Sequence, residues 1–320
     1  MRQSADIAVN LGRGLLARFR PPLGPAVGHS LLPTLRAYSG IRVPEACGYP
    51  QDEPLGRLGA LELRLAQKAS DVRRAQKLRY RVFYEEMSAI PDAKTRIARR
   101  DVDGFDAICD HLLVFDHAAA PSRVRRQPRV VGTYRLLRQD VAQRHGGFYS
   151  AAEFALDALI ARHHGLRFLE LGRSCVLAPY RNKRTIELLW QGIWSYLLEH
   201  RVDVMIGCAS LEGTDPHKLA LALSYLHHFH GAGGAWNADA LSRRHVEMNR
   251  MPKVAIDPKA AWRELPPLIR GYLRVGAVVG NGAVIDYQFR TTDVLMVMPV
   301  AEISHRYIRH FGSDAERQAA

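Results

Sequence analysis

Two kinds of hydrophobic periodicity alternate along the chain and predict most of its secondary structure. Leu61, Leu63 and Leu65 alternate with the charged residues Glu62 and Arg64, which is the period of a half-buried strand. Short apolar runs predict five further strands, at residues 111–116, 129–137, 168–177, 203–210 and 294–300. Apolar residues spaced three and four apart predict helices at residues 70–83, 154–160, 219–228 and 262–275, and a helix that begins after Arg181.

The order of these elements is strand, helix, two strands, and then helices alternating with strands. The segments 111–116 and 129–137 follow one another without a helix between them, so we expect them to pair as antiparallel neighbours. This order predicts an α/β (α+β) fold with a mixed central sheet.

We interpret the chain as one domain with a flanking segment at each end. Seven prolines fall in residues 1–55, which we interpret as an extension, while residues 56–312 form the domain and 313–320 a tail. Within the extension, Ile7, Leu11, Leu15 and Phe19 recur every four residues among arginines. The extension is therefore either a helix on an anionic membrane surface or a disordered tail.

The chain is strongly basic, with a formal net charge of +13 and a pI near 9.9. Such a balance implies acidic partners: a protein, a membrane face or nucleic acid. The four cysteines are widely spaced and predict reduced thiols in the cytoplasm. No apolar run reaches the roughly 18 residues of a membrane span, and we find no convincing signal peptide.

The most informative stretch is residues 170–186, in which an apolar strand containing Glu170 leads through a basic turn into a helix. Ile186, Leu189, Trp190, Ile193 and Leu197 give that helix a face that we expect to be buried. Free N–H groups at a helix start attract anions. We therefore predict a phosphate site formed by the following residues: Arg181, Asn182, Lys183, Arg184 and Thr185. The alternative is a solvated basic helix start without a ligand.

Several motifs, in order along the chain, carry a resemblance to a known family. Residues 130–135 (VVGTYR) and 176–186 (VLAPYRNKRTI) resemble the third strand and the acyl-donor motif of GNAT-like acyltransferases. Within that superfamily, the sequence resembles most closely the L-ornithine Nα-acyltransferases of ornithine-lipid synthesis, which are relatives of the hemolysin-like acyltransferases. The motifs are residues 78–87 (LRYRVFYEEM), 101–106 (DVDGFD), 109–112 (CDHL), 170–174 (ELGRS), 213–215 (GTD) and 265–274 (LPPLIRGYLR).

This resemblance implies transfer of a 3-hydroxyacyl group from acyl carrier protein to the α-amine of L-ornithine, giving lyso-ornithine lipid. One departure bears on the donor: GNAT donor loops are rich in glycine, whereas residues 181–185 contain none. Side-chain charge must then replace backbone contacts. A single phosphopantetheine phosphate on an acidic carrier suits such a turn better than CoA does, and we expect no cofactor and no metal.

A base is needed because the attacking amine must be neutral, and a free α-amine has a pKa of about 8. Glu170 is the candidate base, and remote relatives, the acyl-homoserine-lactone synthases, also place a Glu just before an Arg here. The alternative is a structural ion pair between Glu170 and Arg173. The fold also implies that backbone N–H groups of Cys175, Val176 and Leu177 bind the oxyanion. Cys175 as a covalent nucleophile is a further alternative.

For the acceptor, the acidic residues Asp101, Asp103 and Asp106 are candidates to bind the cationic side chain of ornithine. The alternatives are a solvated acidic loop or a metal site. Arg135 or Arg173 is a candidate for the carboxylate. Four further polar residues are expected to line the acceptor pocket: Ser174, Ser210, Glu212 and Asp215.

Other readings of the sequence remain open at this stage. His227, His228 and His230 form either a zinc site or, more simply, a polar helix end, and Tyr225 either protonates the departing thiolate or packs in the core. Another amino-acid acceptor, or O-acylation of a lysolipid, fits the same motifs. The basic loop 123–129 permits nucleic-acid binding, although the chain has no recognisable motif for it and we expect none. A scaffold without turnover is the last alternative.

Overall fold

A computed structural model describes residues 53–119 and 127–303. The predicted extension 1–55, except for its last three residues, lies outside these ranges. So do the 313–320 tail and most of the basic loop at 123–129.

A single mixed sheet of nine strands organises the described residues. In space the strands follow the order β1-β2-β3-β4-β5-β6-β9-β8-β7, and every pair is antiparallel except β5 with β6. Their bounds are β1 Gly56–Leu58, β2 Leu61–Leu65, β3 Asp110–Asp116, β4 Arg129–Arg138, β5 Phe168–Val176, β6 Val204–Glu212, β7 His245–Val246, β8 Val278–Asp286 and β9 Thr291–Pro299. The predicted mixed sheet and the antiparallel pairing of β3 with β4 are thus confirmed.

Eight α-helices in the described ranges cover and connect the sheet. They are α1 Ala69–Tyr80, α2 Ala93–Ala98, α3 Gln139–Arg144, α4 Leu156–Arg162, α5 Lys183–His200, α6 Ala220–His230, α7 Pro258–Glu264 and α8 Pro267–Val275. Shorter turns matter for the site: a π-helix continues α1 at Arg81–Glu86, and 3-10 turns form at Gly104–Ala107 and Tyr149–Ala152. None of these described helices combines the length and the hydropathy that a bilayer crossing needs.

The helices α1 and α5 lie on opposite faces of the sheet. Gly192 of α5 sits so close to Leu63 and Leu112 that a Cβ atom would come 2.3 Å from the nearest atom of Leu63. Asp106 pairs with Arg79 of α1, and its backbone carbonyl contacts the ring of His111. The side chain of His111 therefore lies on the same face of the sheet as α1. Because His111 and Leu112 are consecutive residues of one strand, they point to opposite faces.

The one parallel strand pair of the described sheet, β5 with β6, is also the place where two neighbouring strands separate and leave a gap between them. The strands β5 and β6 pair at Phe168, Leu169 and Glu170, and after Glu170 opposite Ile206 no further pairing occurs between them. Just beyond this point Gly207 approaches the carbonyl oxygen of Leu171 so closely that a Cβ atom would lie 2.3 Å from it. A side chain here would push the strands apart earlier, so glycine sets where the gap begins.

Three expectations about the elements were wrong in detail. The helix expected at 262–275 is two helices, α7 and α8, because Pro266 and Pro267 interrupt it. The helix expected from Phe154 begins at Leu156, and Phe154 instead bridges to Ala240. Ile186, expected on the buried face of α5, is 43% exposed.

Candidate active site

A β-bulge in β5, beside the gap, changes which side chains of this strand lie on the same face of the sheet. Thr133 pairs with Cys175 and Arg135 with Gly172, so Arg173 and Ser174 together stand opposite Tyr134. Arg173 has a φ of 49°, in the left-handed region that residues other than glycine seldom adopt. The bulge puts Glu170, Gly172 and Cys175 on one face, whereas strict alternation would put Cys175 on the other.

Glu170 lies at the point where β5 and β6 separate and is 4% exposed. Its carboxylate accepts hydrogen bonds from the backbone N–H groups of Tyr149 and Ser150, both at 2.7 Å, and from the Ser150 hydroxyl at 2.5 Å. Burial raises the pKa of Glu170, and the hydrogen bonds from Ser150 and Tyr149 act in the opposite direction. The alternative of an ion pair with Arg173 is wrong, because Arg173 pairs with aspartates.

The predicted acidic loop is part of a buried network of three aspartates and three arginines. Arg79 of α1 forms two bonds of 2.8 Å to the carboxylate oxygens of Asp106 and an ion pair of 2.8 Å with Asp101. Arg135 bonds Asp103 at 2.6 Å. Asp101 and Asp106 are nearly fully buried, so the alternative of a solvated loop is wrong for them.

Charge within this network is balanced. Burial alone would raise the pKa of Asp106, but the guanidinium of Arg79 outweighs it and holds that pKa far below its usual range. The same competition, with Arg135 and Arg173 as the cations, lowers the pKa of Asp103. Three carboxylates matched by three guanidiniums leave no net charge to attract a cationic side chain.

Arg173 extends from this network towards the gap. It contacts Asp101 at 3.3 Å and Asp103 at 3.2 Å, and its guanidinium lies 4.9 Å from the ring centres of both Tyr149 and Phe289. Ser174, expected in the acceptor pocket with Arg173, bonds instead to Tyr134, whose hydroxyl contacts Tyr272 of α8. The bulge therefore sends neighbouring residues to opposite faces of the sheet.

Of the three backbone N–H groups expected to bind an oxyanion, one faces the gap. Leu177 donates its N–H to the Val131 carbonyl at 2.9 Å, so the expectation for Leu177 was wrong. Alternation along an antiparallel pair then directs the N–H of Cys175 to Thr133 and that of Val176 away from β4. Of these three residues, Val176 is therefore the one whose N–H points towards β6.

The Cys175 thiol is buried, and burial raises its pKa to about 12. At neutral pH the thiolate, which is the nucleophilic form, is then scarce. We expect the Cys175→Ala variant to keep kcat within about twofold of the wild type, because a buried thiol that small contributes packing and no chemistry. Steady-state kinetics and intact-protein mass spectrometry check this. A covalent acyl adduct on wild-type Cys175, absent from the variant, would contradict it.

The predicted phosphate turn is only partly available to a ligand. Asn182 is exposed and is the N-cap of α5, and its side chain accepts from the N–H of Thr185 at 3.1 Å, so that N–H is not free for a phosphate. Thr185 is fully buried, so the prediction that it contacts a phosphate was wrong. Arg181 bonds the Val176 carbonyl at 2.8 Å and Glu86. Lys183 and Arg184 are exposed.

A second acidic group, which sequence reasoning missed, borders the gap. Carboxylate oxygens of Glu153, Asp286 and Asp293 lie within 4.8 Å of one another. Ser210, expected in the pocket, hydrogen-bonds Asp293 from β6. Glu212 and Asp215, expected with Ser210, are exposed at the end of β6.

The histidines at the end of α6 have protein partners. His228 contacts the Met251 carbonyl at 3.0 Å, and His230 contacts the Tyr225 hydroxyl at 3.2 Å. Tyr225 is largely buried and stacks on Phe229, as expected for a core residue. In the described ranges, the group of three that meets the spacing of a metal site is the carboxylate group above, not these histidines.

The chain is similar in sequence to a known domain family and to several known enzymes. Residues 78–191 match the model of the acetyltransferase (GNAT) domain. The L-ornithine N(alpha)-acyltransferase of Rhizobium meliloti (strain 1021) is 53% identical over 87% of this chain and 93% of its own length. Its counterpart in Rhodobacter capsulatus is 40% identical over 77% of this chain and 92% of its own.

Among solved structures, the N-acyl amino acid synthase FeeM from uncultured soil microbes aligns with a TM-score of 0.41 and 12% identity. That alignment covers 76% of this chain and 92% of FeeM. The AHL synthase LasI aligns with a TM-score of 0.42 and 11% identity, over 79% of this chain and 95% of LasI.

Proposed function

The chain belongs to the L-ornithine N(alpha)-acyltransferase family, and from this membership we propose that it acylates the α-amine of L-ornithine. The donor is a (3-hydroxy)acyl group on acyl carrier protein and the product is lyso-ornithine lipid, the first step of ornithine-lipid synthesis. The observation that supports the proposal best is the gap between β5 and β6, which brings a buried carboxylate and unpaired backbone together.

In the proposed reaction the amine nitrogen attacks the thioester carbon, and the carbonyl oxygen becomes an oxyanion. Backbone N–H groups of the bulge or of Val176 are suited to that charge. The C–N bond forms, the C–S bond breaks, and the thiolate of the carrier arm leaves and takes up a proton from water. Glu170 later releases to water the proton that it accepts, so one proton passes in total from the amine to the thiol.

Glu170 is the proposed final acceptor of the amine proton. The Ser150 hydroxyl, which is buried like Glu170 and already donates to it at 2.5 Å, is proposed to relay the proton. The hydroxyl takes the amine proton as it gives up its own, so no charged intermediate is left on Ser150. A raised pKa favours a carboxylate in this role, because the proton it receives is held more firmly.

Arg173 is the proposed partner of the acceptor's carboxylate. Both arginines pair with aspartates of the network, but Arg135 is nearly fully buried, whereas the Arg173 side chain is 14% exposed beside the gap. An incoming carboxylate would therefore share the Arg173 guanidinium with Asp101 and Asp103. Flanking rings of Tyr149 and Phe289 hold the guanidinium plane, and a fixed guanidinium suits bidentate binding of a carboxylate.

The proposed donor contact is electrostatic. Lys183 and Arg184 are exposed at the start of the 18-residue helix α5, next to the end of β5. A phosphate there gains from both side chains and from the free N–H groups of the first turn. No bound cofactor is needed in this scheme, since the carrier brings the phosphopantetheine with it.

We expect the double charge reversal Lys183→Glu/Arg184→Glu to raise the KM for acyl carrier protein roughly 10-fold or more at low salt, with kcat nearly unchanged. The reason is that exposed charges at an interface act mainly on association. The wild-type KM should itself rise with ionic strength as screening weakens the attraction. Initial rates at several salt concentrations measure both effects.

The matched control is Lys259→Glu/Arg263→Glu, the same charge change at exposed positions of α7. Equal losses in the two double variants would mean that only net charge matters, and the assignment of the donor turn would fall.

The function itself is tested with purified protein, hydroxyacyl carrier protein or hydroxyacyl-CoA as donor, and a panel of acceptors. The panel includes ornithine, lysine, glutamine, glycine and a lysophospholipid. We expect an amide of ornithine from the carrier-bound donor, detected by mass spectrometry. Amide from another amino acid alone, or an ester, would overturn the proposal.

The basic chain is proposed to contact the anionic cytoplasmic face of the membrane peripherally, where a lipid product would partition. The four apolar residues spaced by four within residues 1–55 support this on sequence grounds. Sedimentation with anionic vesicles, compared for the full chain and for residues 56–320, tests the contact.

A further inference from the structure

Three carboxylates from distant parts of the chain converge beside the gap. Glu153 follows the 3-10 turn Tyr149–Ala152, Asp286 ends β8, and Asp293 is the third residue of β9. We call these three residues the carboxylate trio. Their oxygens lie within 4.8 Å of one another, and none of the three residues is more than 9% exposed.

The trio, unlike the arginine–aspartate network, lacks cations to balance it. In the described part of the chain, one ion pair reaches it: Arg244, whose side chain is half exposed, lies 3.5 Å from Glu153. One oxygen of Asp293 is buried and has no hydrogen-bond partner. A buried carboxylate oxygen without a partner is costly, so Asp293 can still accept a hydrogen bond from a ligand.

The pKa shifts of the trio are those expected for buried carboxylates that lie close together. Burial, followed by the charges of Asp293 and Asp286, raises the pKa of Glu153 to about 7. Burial also raises the pKa of Asp293. A cation placed among the three carboxylates would reverse both shifts, because it favours their ionised forms.

The trio lies close to the proposed catalytic groups. The Cys208 thiol of β6 lies 3.4 Å from Glu153 and 3.2 Å from the Ser150 hydroxyl, which in turn bonds Glu170. Arg173 lowers the pKa of Asp293, so its charge acts on the trio as well. Arg173, the proposed partner of the acceptor's carboxylate, and the three carboxylates of the trio thus lie in one region beside the gap.

We propose that the carboxylate trio binds the side-chain ammonium group of the acceptor and so selects a diamino acid. This inference rests on the proposed function and adds the site that distinguishes ornithine from neutral amino acids. An ammonium group has three N–H donors and no acceptor, which matches three converging carboxylates. An amine held as ammonium has no lone pair for attack, so the same contact directs acylation to the α-nitrogen.

The test compares ornithine with norvaline, which has the same carbon chain without the side-chain amine. In Asp293→Asn we expect kcat/KM for ornithine to fall roughly 10- to 100-fold, the usual range for a lost bond to a charged group. Norvaline turnover should change by less than about threefold, which also shows that the variant is folded. Tandem mass spectrometry should detect some acylation of the side-chain nitrogen in the variant.

Asp140→Asn is the matched control, since Asp140 lies on the exposed surface of α3 and should leave both substrates unaffected. An unchanged preference for ornithine in both Asp293→Asn and Asp286→Asn would overturn the inference while leaving ornithine acylation intact. If the wild type makes no ornithine amide, the proposed function itself fails. Calorimetric titration with Mg²⁺ and Mn²⁺ covers the remaining case: tight binding lost in Asp293→Asn, with selectivity retained, would make the trio a metal site and overturn the inference.

Discussion

Replacing Glu170 with Gln is expected to lower kcat for ornithine acylation by about 10²- to 10⁴-fold, the usual contribution of a general base. An amide cannot take up the amine proton. In the wild type the N–H groups of Tyr149 and Ser150 each donate to the carboxylate at 2.7 Å. The NH₂ group of an amide at this position would face one of these N–H groups, so two donors would oppose each other.

This second effect makes a control necessary. Opposed donors in a buried site cost about 1–3 kcal/mol, so the variant should also be somewhat less stable. Ser150→Ala removes the 2.5 Å hydroxyl bond and the proton path without creating opposed donors. We expect its kcat to fall as well, with a smaller loss of stability than in Glu170→Gln.

Thermal unfolding and saturation kinetics separate the two roles of Glu170. One outcome is that both variants lose stability and show a raised KM, while kcat at saturation stays at the wild-type value. Glu170 would then only hold the turn Tyr149–Ala152 in place. That result would remove it as the base.

Replacing Asp106 with Asn is expected to destabilise the fold by about 3–5 kcal/mol, the range observed when one partner of a buried ion pair is removed. The carboxylate of Asp106 accepts hydrogen bonds of 2.8 Å from both terminal nitrogens of the Arg79 guanidinium, and a third of 3.0 Å from the side-chain amide of Gln76. Arg79 is completely buried, so in the variant water could not solvate the part of its charge that Asp106 now neutralises. Urea unfolding followed by circular dichroism measures the change.

Asp140→Asn makes the same substitution at an exposed ion pair of 3.3 Å with Arg144 and is expected to cost less than about 0.5 kcal/mol. Comparable values for the two variants would show that the buried network does not stabilise the fold. The depressed pKa of Asp106 gives the sign of the acid dependence. Its contribution is present above the ordinary aspartate pKa of about 3.9 and is lost as the pH falls below it.

Local periodicity was sufficient to predict most strands and helices, because the elements that pack on one face repeat within a few residues. The strands β2 to β6 and the helices α1, α5 and α6 all appear near their expected positions. The strand β8 was not predicted, because glycines at 276, 280 and 282 obscure the alternation of its apolar residues.

The site was harder to predict for two physical reasons. The bulge at Arg173–Ser174 changes which side chains of β5 share a face, and nothing in the local sequence gives its position. Ser174 was therefore expected beside Arg173, although it contacts Tyr134 on the other side of the sheet.

The carboxylate trio could not be found by spacing, since its members lie at positions 153, 286 and 293 and meet only through the sheet. A single local signal exists: Asp293 is the one charged residue of β9, whose residues are all buried. A charge in such a strand usually has a partner or a function.

Our central claim is that the acceptor amine meets the thioester in the gap between β5 and β6. The most direct measurement is a crystal structure with the product, Nα-acylornithine, bound. We predict that the amide lies in the gap, with its carbonyl oxygen within hydrogen-bonding distance of the backbone at residues 173–176 and its carboxylate on Arg173. An amide bound outside the gap, with β5 and β6 untouched, would contradict the claim.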